Sequence, residues 1–281
     1  MPELPDLVYI QKHLADGMVG ATISSCEIRQ PVIVRTTIDR PPATLLTGKT
    51  VTSVGIRGPF LRINLSPPLQ VIINLMLAGR LQLQQPDEKP AGHLCFILAL
   101  NTGTRFNLCD EKKMAKLYVV APGDERRVPM FEEQGMDILS PDFTPGRFRE
   151  TADRNRRKQV RVFINDHRSL SAIGNAYADE ILFEARIHPK TLVASLAPGQ
   201  LDDLYYAIRT VITRGIAEVE RAAQPIEVKV RDHMKVRNRK GEPCPRCGTT
   251  IRREGVRGHD VFFCPSCQPA SRKLFIDWQR P

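Results

Sequence analysis

The chain has 281 residues, 42% of them hydrophobic, with a formal net charge of +10. That length accommodates two domains and a small extra module with buried cores, and the positive excess favours a polyanionic partner, nucleic acid being the commonest. No apolar run reaches the length of a membrane span, and the start, Met1 to Asp6, lacks the basic and apolar stretches of a secretory leader, so a soluble intracellular protein with no membrane partner is expected.

Residues 4–17 read as a helix with Leu7, Ile10 and Leu14 on one face. The period then changes. Leu61-Ile63-Leu65, Val71-Ile73-Leu75-Leu77, Leu81-Leu83, Leu94-Phe96-Leu98-Leu100 and Phe106-Leu108 alternate as half-buried strands do. Pro67, Pro68, Pro86 and the run Asn101 to Gly103 punctuate them. The first half is therefore expected to be an antiparallel β-sandwich carrying one N-terminal helix. Residues 132–147, with Gly135, Pro141, Pro145 and Gly146, read as a linker. Helical spacing follows: Ala178, Ile181, Leu182 and Ala185 share one face, as do Leu201, Leu204, Tyr205, Ile208, Val211, Ile212 and Ile216. The expected divisions are residues 1–132, 133–235, 236–270 and a tail, 271–281, with no assigned role.

Two C-x2-C knuckles stand near the end, Cys244 with Cys247 and Cys264 with Cys267, sixteen residues apart. That is the spacing of a structural zinc site, in which four thiolates close the tetrahedral shell and leave no position for a substrate. Two disulfides or buried free thiols are the alternatives. The segment is too short to build its own core, so one Zn2+ ion is expected to fold it. Between the knuckles runs an Arg- and Gly-rich hairpin anchored by Ile251 and Val261 to Phe263, and upstream lies the basic run Lys229 to Lys240. Such a hairpin suits a phosphate-bearing groove. Cys26, Cys95 and Cys109 are left as reduced core residues of a reducing compartment.

Three segments then line up: Pro2-Glu3-Leu4-Pro5 at the start, Ala172 through Leu182 followed by Ile187-His188-Pro189, and Gly241 through Gln268. In that order the chain resembles the formamidopyrimidine-DNA glycosylase and endonuclease VIII family of base-excision repair enzymes, and its opening is closer to the formamidopyrimidine branch. The resemblance implies an α+β multidomain protein: an N-terminal antiparallel β-sandwich with an N-terminal helix, a helix–two-turns–helix domain, and a C-terminal four-cysteine zinc finger. It implies a bifunctional glycosylase and abasic-site lyase, a hydrolase of N-glycosyl bonds that removes oxidised or ring-opened bases through a Schiff base. The implied partner is double-stranded DNA with a damaged base or an abasic site. A monomer, in the cytoplasm with the bacterial nucleoid or otherwise intracellular, is expected.

In that family the proline matching Pro2 is the nucleophile once Met1 is removed, and the glutamate matching Glu3 moves protons. The chemistry suits an amino terminus. An α-amino group titrates near 7.7–8.0 and a lysine near 10.4, so at neutral pH the terminus is the free amine roughly several hundred times more often. Taken alone, Met1-Pro2-Glu3 is also an ordinary helix start. The asparagine matching Asn175, after Gly174, grips the DNA backbone in the family, and a helix N-terminus suits a phosphate; an ordinary helix cap is the bland alternative. Arg161 matches a basic phosphate contact. A base attacked at C1′ must first leave the stack, and something must fill the gap.

The resemblance breaks at four places. Pro59 stands where the family has a lysine that donates a proton and contacts phosphate, leaving Arg57 or Arg62 as substitutes. The void-filling methionine falls near Leu77, with Met76 as the other candidate. The loop that reads the opposite strand becomes Asp110 to Ala115, offering Lys112 and Lys113. The arginine of the zinc hairpin that clasps the lesion phosphates becomes His259, with Arg257 two residues earlier. A histidine in that place loses a permanent charge, so DNA affinity is expected to weaken more steeply above pH 6.5 than for an arginine-bearing relative. The changes suggest a narrowed or altered substrate, abasic sites or bulky alkylated purines, as the second reading. A third is an inactive protein that binds damaged DNA, which the intact Pro2 and Glu3 argue against.

Overall fold

The computed structural model describes residues 1–85, 87–255 and 260–270. The chain divides into two units, Met1–Gln134 with Ile216–Val230, and Gly135–Gly215 with the chain from Arg231 onward.

The first unit opens with helix α1 (Leu4–Met18), whose buried face is Leu4, Leu7, Ile10, Leu14 and Met18. These positions repeat every three or four residues, which lays them along one side of the helix. The start is a reciprocal cap: the Glu3 N–H donates to Asp6 Oδ2 at 2.8 Å, and the Glu3 carboxylate accepts from the backbone of Asp6. Two sheets follow. β1 (Ile23–Ile28), β2 (Val34–Thr36), the short helix α2 (Pro42–Leu46), β3 (Thr50–Arg57), β4 (Phe60–Ser66), β5 (Leu69–Asn74), β6 (Arg80–Gln84), β7 (Leu94–Leu100), β8 (Arg105–Cys109) and β9 (Lys116–Val120) succeed one another. They assemble as a four-stranded sheet in the order β1-β7-β8-β6 and a five-stranded sheet in the order β2-β9-β5-β4-β3. All pairs are antiparallel except β2 with β9, which is parallel.

The alternating apolar residues set the register. Leu61 faces Ile73 and Ile63 faces Val71 across β4 and β5, while Phe96 faces Leu108 and Leu98 faces Phe106 across β7 and β8. All eight are buried, each such side chain contributing about 1.5–3 kcal/mol over leaving it in water. Helix α1 packs on β3 of one sheet and β6 of the other.

Three strands carry no clean alternation. β1 is largely polar, β3 has a register shift between Val51 and Ser53, and β9 is covered on both faces at Val119 and Val120. The strand expected over residues 71–77 stops at Asn74. There the Asn74 side-chain oxygen accepts the Met76 N–H at 2.9 Å, and Met76 adopts φ 50°, so the backbone turns away from the ladder.

In the second unit the expected linker is packed rather than loose. Met136 bridges to Leu170 in parallel, and Ile138 and Phe143 are buried. Thr144 caps α3 (Pro145–Arg154) by accepting the Arg147 N–H, with Pro145 in the first turn. α4 (Val160–Asn165), α5 (Asn175–Glu184) and α6 (Pro198–Ala222) follow, the last turns of α6 being counted with the first unit. An aromatic cluster of Phe143, Phe148, Phe163 and Tyr205 forms the core among the helices. The unit closes with the hairpin β10 (Arg252–Glu254) and β11 (Val261–Phe263), in which Arg252 pairs with Phe263 and Glu254 with Val261. No helix among the described residues is long and apolar enough to cross a membrane. The tail from residue 271 lies outside the described residues.

Candidate catalytic and nucleic-acid sites

In the first unit the chain terminus lies against the start of α1. Pro2 is buried and Glu3 is only 6% exposed. The amino group of Met1 is pushed down from the usual 8.0 to about 6, first by burial, then by the adjacent Lys229, while Glu3 and Asp6 pull the other way. Such an amine is mostly unprotonated at neutral pH, which is the condition for a nucleophile.

Lys229 also lines a cleft of about 510 Å³, together with Leu77, Arg80, His93, Asp110 and Lys112. Asp110 shapes one wall of it. Its buried carboxylate accepts the backbone N–H groups of Lys112 at 2.8 Å, Met114 at 2.8 Å and Ala115 at 2.7 Å. Those three bonds curl the loop and leave the Lys112 and Lys113 side chains exposed, with Lys113 at φ 52°. Leu77 stands 62% exposed on the turn after β5, an apolar side chain with little covering it.

The β3–β4 turn offers no cation toward a ligand. Gly58 takes φ 54°, and Pro59 is buried. Arg57 turns instead to the connector, donating to the carbonyls of Phe131 at 2.9 Å and Glu132 at 3.1 Å and stacking on the Phe131 ring. Arg57 is thereby committed to the scaffold.

In the second unit Gly174 occupies the N-cap of α5 in extended backbone, and Asn175 is the first residue of the helix. The Asn175 side-chain oxygen accepts from Arg161 at 3.1 Å and from Asn165 at 2.9 Å. It therefore spends its acceptor inside the protein. One turn on, Asp179 is fully buried between two arginines: Arg161 Nε at 3.0 Å and Arg237 Nη1 at 2.7 Å. Both guanidiniums also donate to the Asp260 carbonyl, each at 3.0 Å. Burial pushes Asp179 up to about 6, against the pull of Arg161 and then Arg237. Next to it, Glu180 accepts three consecutive backbone N–H groups, those of Lys235, Val236 and Arg237, at 2.8–2.9 Å. The two carboxylates of α5 thus hold both the segment entering the finger and the hairpin of the finger.

The four knuckle cysteines are free thiols whose sulfurs all lie within 4.8 Å of one another. Cys244 and Cys267 are 3.9 Å apart, Cys247 and Cys264 3.5 Å, and Cys247 and Cys267 3.4 Å. A tetrahedron with Zn–S bonds of about 2.3 Å has edges of about 3.8 Å, so the set fits one zinc ion, and the separations are far beyond a disulfide bond of about 2.05 Å. The Arg246 and Cys267 N–H groups each point at a knuckle sulfur at 3.4 Å, which supports thiolate charge. The fourth side is closed by Gln268, which is buried and bonds Ile187 and Cys264.

The structure brings Asn175 and Arg161 into direct contact, keeps Pro2 beside Glu3, and gathers the four cysteines. Arg257 and His259 lie outside the described residues. Sequence reading missed Asp179, Glu180, Arg237 and Lys229. The first two stand inside the quoted Ala172–Leu182 segment, where two adjacent acids on an otherwise apolar helix were the available signal. The last two were absorbed in a basic run that carries no pattern of its own.

Comparison with known proteins agrees with this architecture. Residues 1–117 match the family model of the formamidopyrimidine-DNA glycosylase N-terminal domain, residues 134–225 that of its H2TH domain, and residues 241–270 a zinc finger found in FPG and IleRS. The formamidopyrimidine-DNA glycosylase of Chloroflexus aurantiacus is 32% identical, over 95% of this chain and 98% of its own length. That of Symbiobacterium thermophilum is 32% identical over 100% of this chain and 93% of its own. Among solved structures, the MutM (Fpg) protein of Thermus thermophilus superposes with a TM-score of 0.82 at 29% identity, covering 95% of this chain and 98% of that one. The Lactococcus lactis Fpg bound to abasic-site DNA shares the fold, with a TM-score of 0.86 at 23% identity over 95% of this chain and all of that one.

Proposed function

We propose, for a chain that belongs to the formamidopyrimidine-DNA glycosylase family, the activity of a base-excision repair enzyme: a DNA glycosylase and abasic-site lyase acting on oxidised or ring-opened bases in double-stranded DNA. The observation that carries the reading is the buried Pro2 beside the buried Glu3 at the start of α1. Removal of Met1 exposes the Pro2 nitrogen. That amine attacks C1′ of the flipped nucleotide and the base departs. As the sugar ring opens, an iminium ion forms between Pro2 and C1′. The iminium draws electrons and acidifies the C2′ proton, so the 3′ phosphate leaves by elimination. Glu3 moves protons at the ring oxygen and at C2′, help that typically contributes 10²–10⁴-fold.

The other residues take the roles that the family resemblance implies. Gly174, Asn175 and Arg161 bind the phosphates beside the lesion, at the positive end of the α5 helix dipole. Lys112 and Lys113 contact the opposite strand, and Leu77 with Met76 fills the space left by the flipped nucleotide. One zinc ion on Cys244, Cys247, Cys264 and Cys267 is structural. The protein works as a monomer inside the cell.

Borohydride reduction tests the reading. A duplex carrying a ring-opened purine, or an abasic site, becomes covalently joined to the enzyme when the iminium is reduced. Pro2→Gly and Glu3→Gln should each abolish or cripple that adduct. No adduct on either duplex, with Met1 confirmed absent by mass spectrometry, overturns it.

A further inference from the structure

The side-chain amide of Asn175 has two unlike ends. The oxygen accepts and the NH2 donates, so only the NH2 end suits an anion. Two side chains decide which end is presented. Arg161 Nη2 donates to the Asn175 oxygen at 3.1 Å, and Asn165 Nδ2 donates to the same oxygen at 2.9 Å. A guanidinium has donors and no acceptor, so the oxygen must face Arg161. Asn165 then meets an oxygen and must turn its own NH2 toward it. Arg161 is itself pinned, with Nε on the buried Asp179 at 3.0 Å and Nη2 on the Asp260 carbonyl at 3.0 Å. Residues 161 and 165 lie one turn apart on α4 and share the face turned to Asn175. For stability alone the arrangement is unfavourable. The Asn165 oxygen is buried with no donor among the described residues. A buried acceptor left unpaired destabilises a fold, and an apolar side chain of similar size would avoid that.

We infer that Asn165 is a positioning residue for DNA binding: together with Arg161 it closes both lone pairs of the Asn175 oxygen, and so presents the Asn175 NH2 to the phosphate beside the lesion. The inference rests on the phosphate contact proposed above for Asn175. One hydrogen bond leaves the amide plane free to turn about it. A second, from the other end of α4, fixes that plane. Asn175 is partly exposed, and its NH2 has no acceptor among the described residues, so this donor is left for a ligand. A flipped amide would set its oxygen against the anion and its NH2 against a guanidinium, two repulsions at once. Asn165 acts through Asn175 and touches no DNA in this scheme.

The test is an anisotropy titration of a duplex carrying a tetrahydrofuran abasic-site analogue, on the full-length, zinc-loaded protein with Met1 removed. Asn165→Leu removes the donor and the orphan acceptor together. Its Kd should rise at least about tenfold, the low end for a hydrogen bond to a charged group, while its urea midpoint stays level or rises. In an Asn175→Ala background the same substitution should change Kd less than about twofold, because the two residues act in series. Asn165→Ala, which asks for no extra room, should show the same dependence on Asn175. A urea midpoint lowered in both variants, an unchanged Kd in both, or the same rise in both backgrounds would each overturn the inference. An Asn175→Ala protein that binds as tightly as the wild type would instead sink the phosphate contact beneath it, so the two failures are told apart.

Discussion

Arg237 donates to the carboxylate of Asp179 at 2.7 Å, and none of the Asp179 side chain reaches solvent. Arg161 holds the other oxygen at 3.0 Å. Two cations on one buried anion leave a net positive charge at the start of α5, while the anion fixes where each guanidinium points. Asp179→Asn keeps the shape and removes the charge, leaving two half-buried arginines uncompensated. Loss of one partner from a buried pair costs about 3–5 kcal/mol. Urea unfolding should show a loss of that order, and anisotropy titration with abasic duplex should show weaker binding. An Asp179→Asn protein with wild-type stability would show that the arrangement is ornamental.

Zinc removal should act on the finger as a folding event. The apolar cluster behind the metal is small: Phe183, Val236, Cys244, Ile251 and Cys264. Metal binding in comparable peptides supplies about 10–16 kcal/mol, far more than such a cluster can. A competing chelator should release one zinc per chain and abolish DNA binding. Cys267→Ala should reproduce both effects without chelator. Retained DNA affinity in metal-free protein would contradict a structural role.

Much of this was legible from residue order. The alternating leucines and isoleucines of β4, β5, β7 and β8, the α1 face, and the knuckle spacing each encode a period or a distance that the fold must honour. The strands β1, β3 and β9 were not legible, because a polar edge, a bulge and a two-sided burial each erase the period of two. The connector over residues 132–147 reads as a linker from its glycines and prolines, yet Gly135 sits where backbone must approach backbone. Asp179 and Lys229 were illegible for a different reason: their importance lies in partners far away in sequence, 58 residues for Arg237 and the opposite end of the unit for Met1.

Gly135 provides a direct test of that connector. A Cβ added there would meet the Ser169 carbonyl carbon and oxygen, both at 2.4 Å, and the Arg168 carbonyl carbon at 2.7 Å. These are backbone atoms and cannot rotate aside. Gly135→Ala should therefore cost about 1–3 kcal/mol, the usual range for overpacking. Gly146 lies in the first turn of α3 with nothing within 4 Å of the same added atom. Gly146→Ala should be neutral or stabilising by up to about 1 kcal/mol. Thermal melts of the two variants should move in opposite directions or differ by several degrees.

The pH dependence of trapping identifies the nucleophile. The Met1 amine is held down from 8.0 to about 6 by burial and then by Lys229, with Glu3 and Asp6 opposing, and burial at the same place lowers the Pro2 nitrogen in the same direction once Met1 is removed. A base with a lowered pKa is deprotonated, and so reactive, above that pKa, and is silenced as pH falls through it. A proline nitrogen is somewhat more basic than a primary terminus, which moves the midpoint up but leaves the direction unchanged. Adduct formation on abasic DNA, measured at fixed borohydride and saturating duplex, should be flat through weakly alkaline pH and fall about tenfold per unit below the midpoint. Lys229→Gln removes the neighbouring charge and should move that midpoint upward. A lysine nucleophile with an ordinary pKa near 10.4 would behave otherwise, its rate already rising tenfold per unit between pH 6 and 9. A profile of that second shape would take the reaction away from the amino terminus and give it to a side chain.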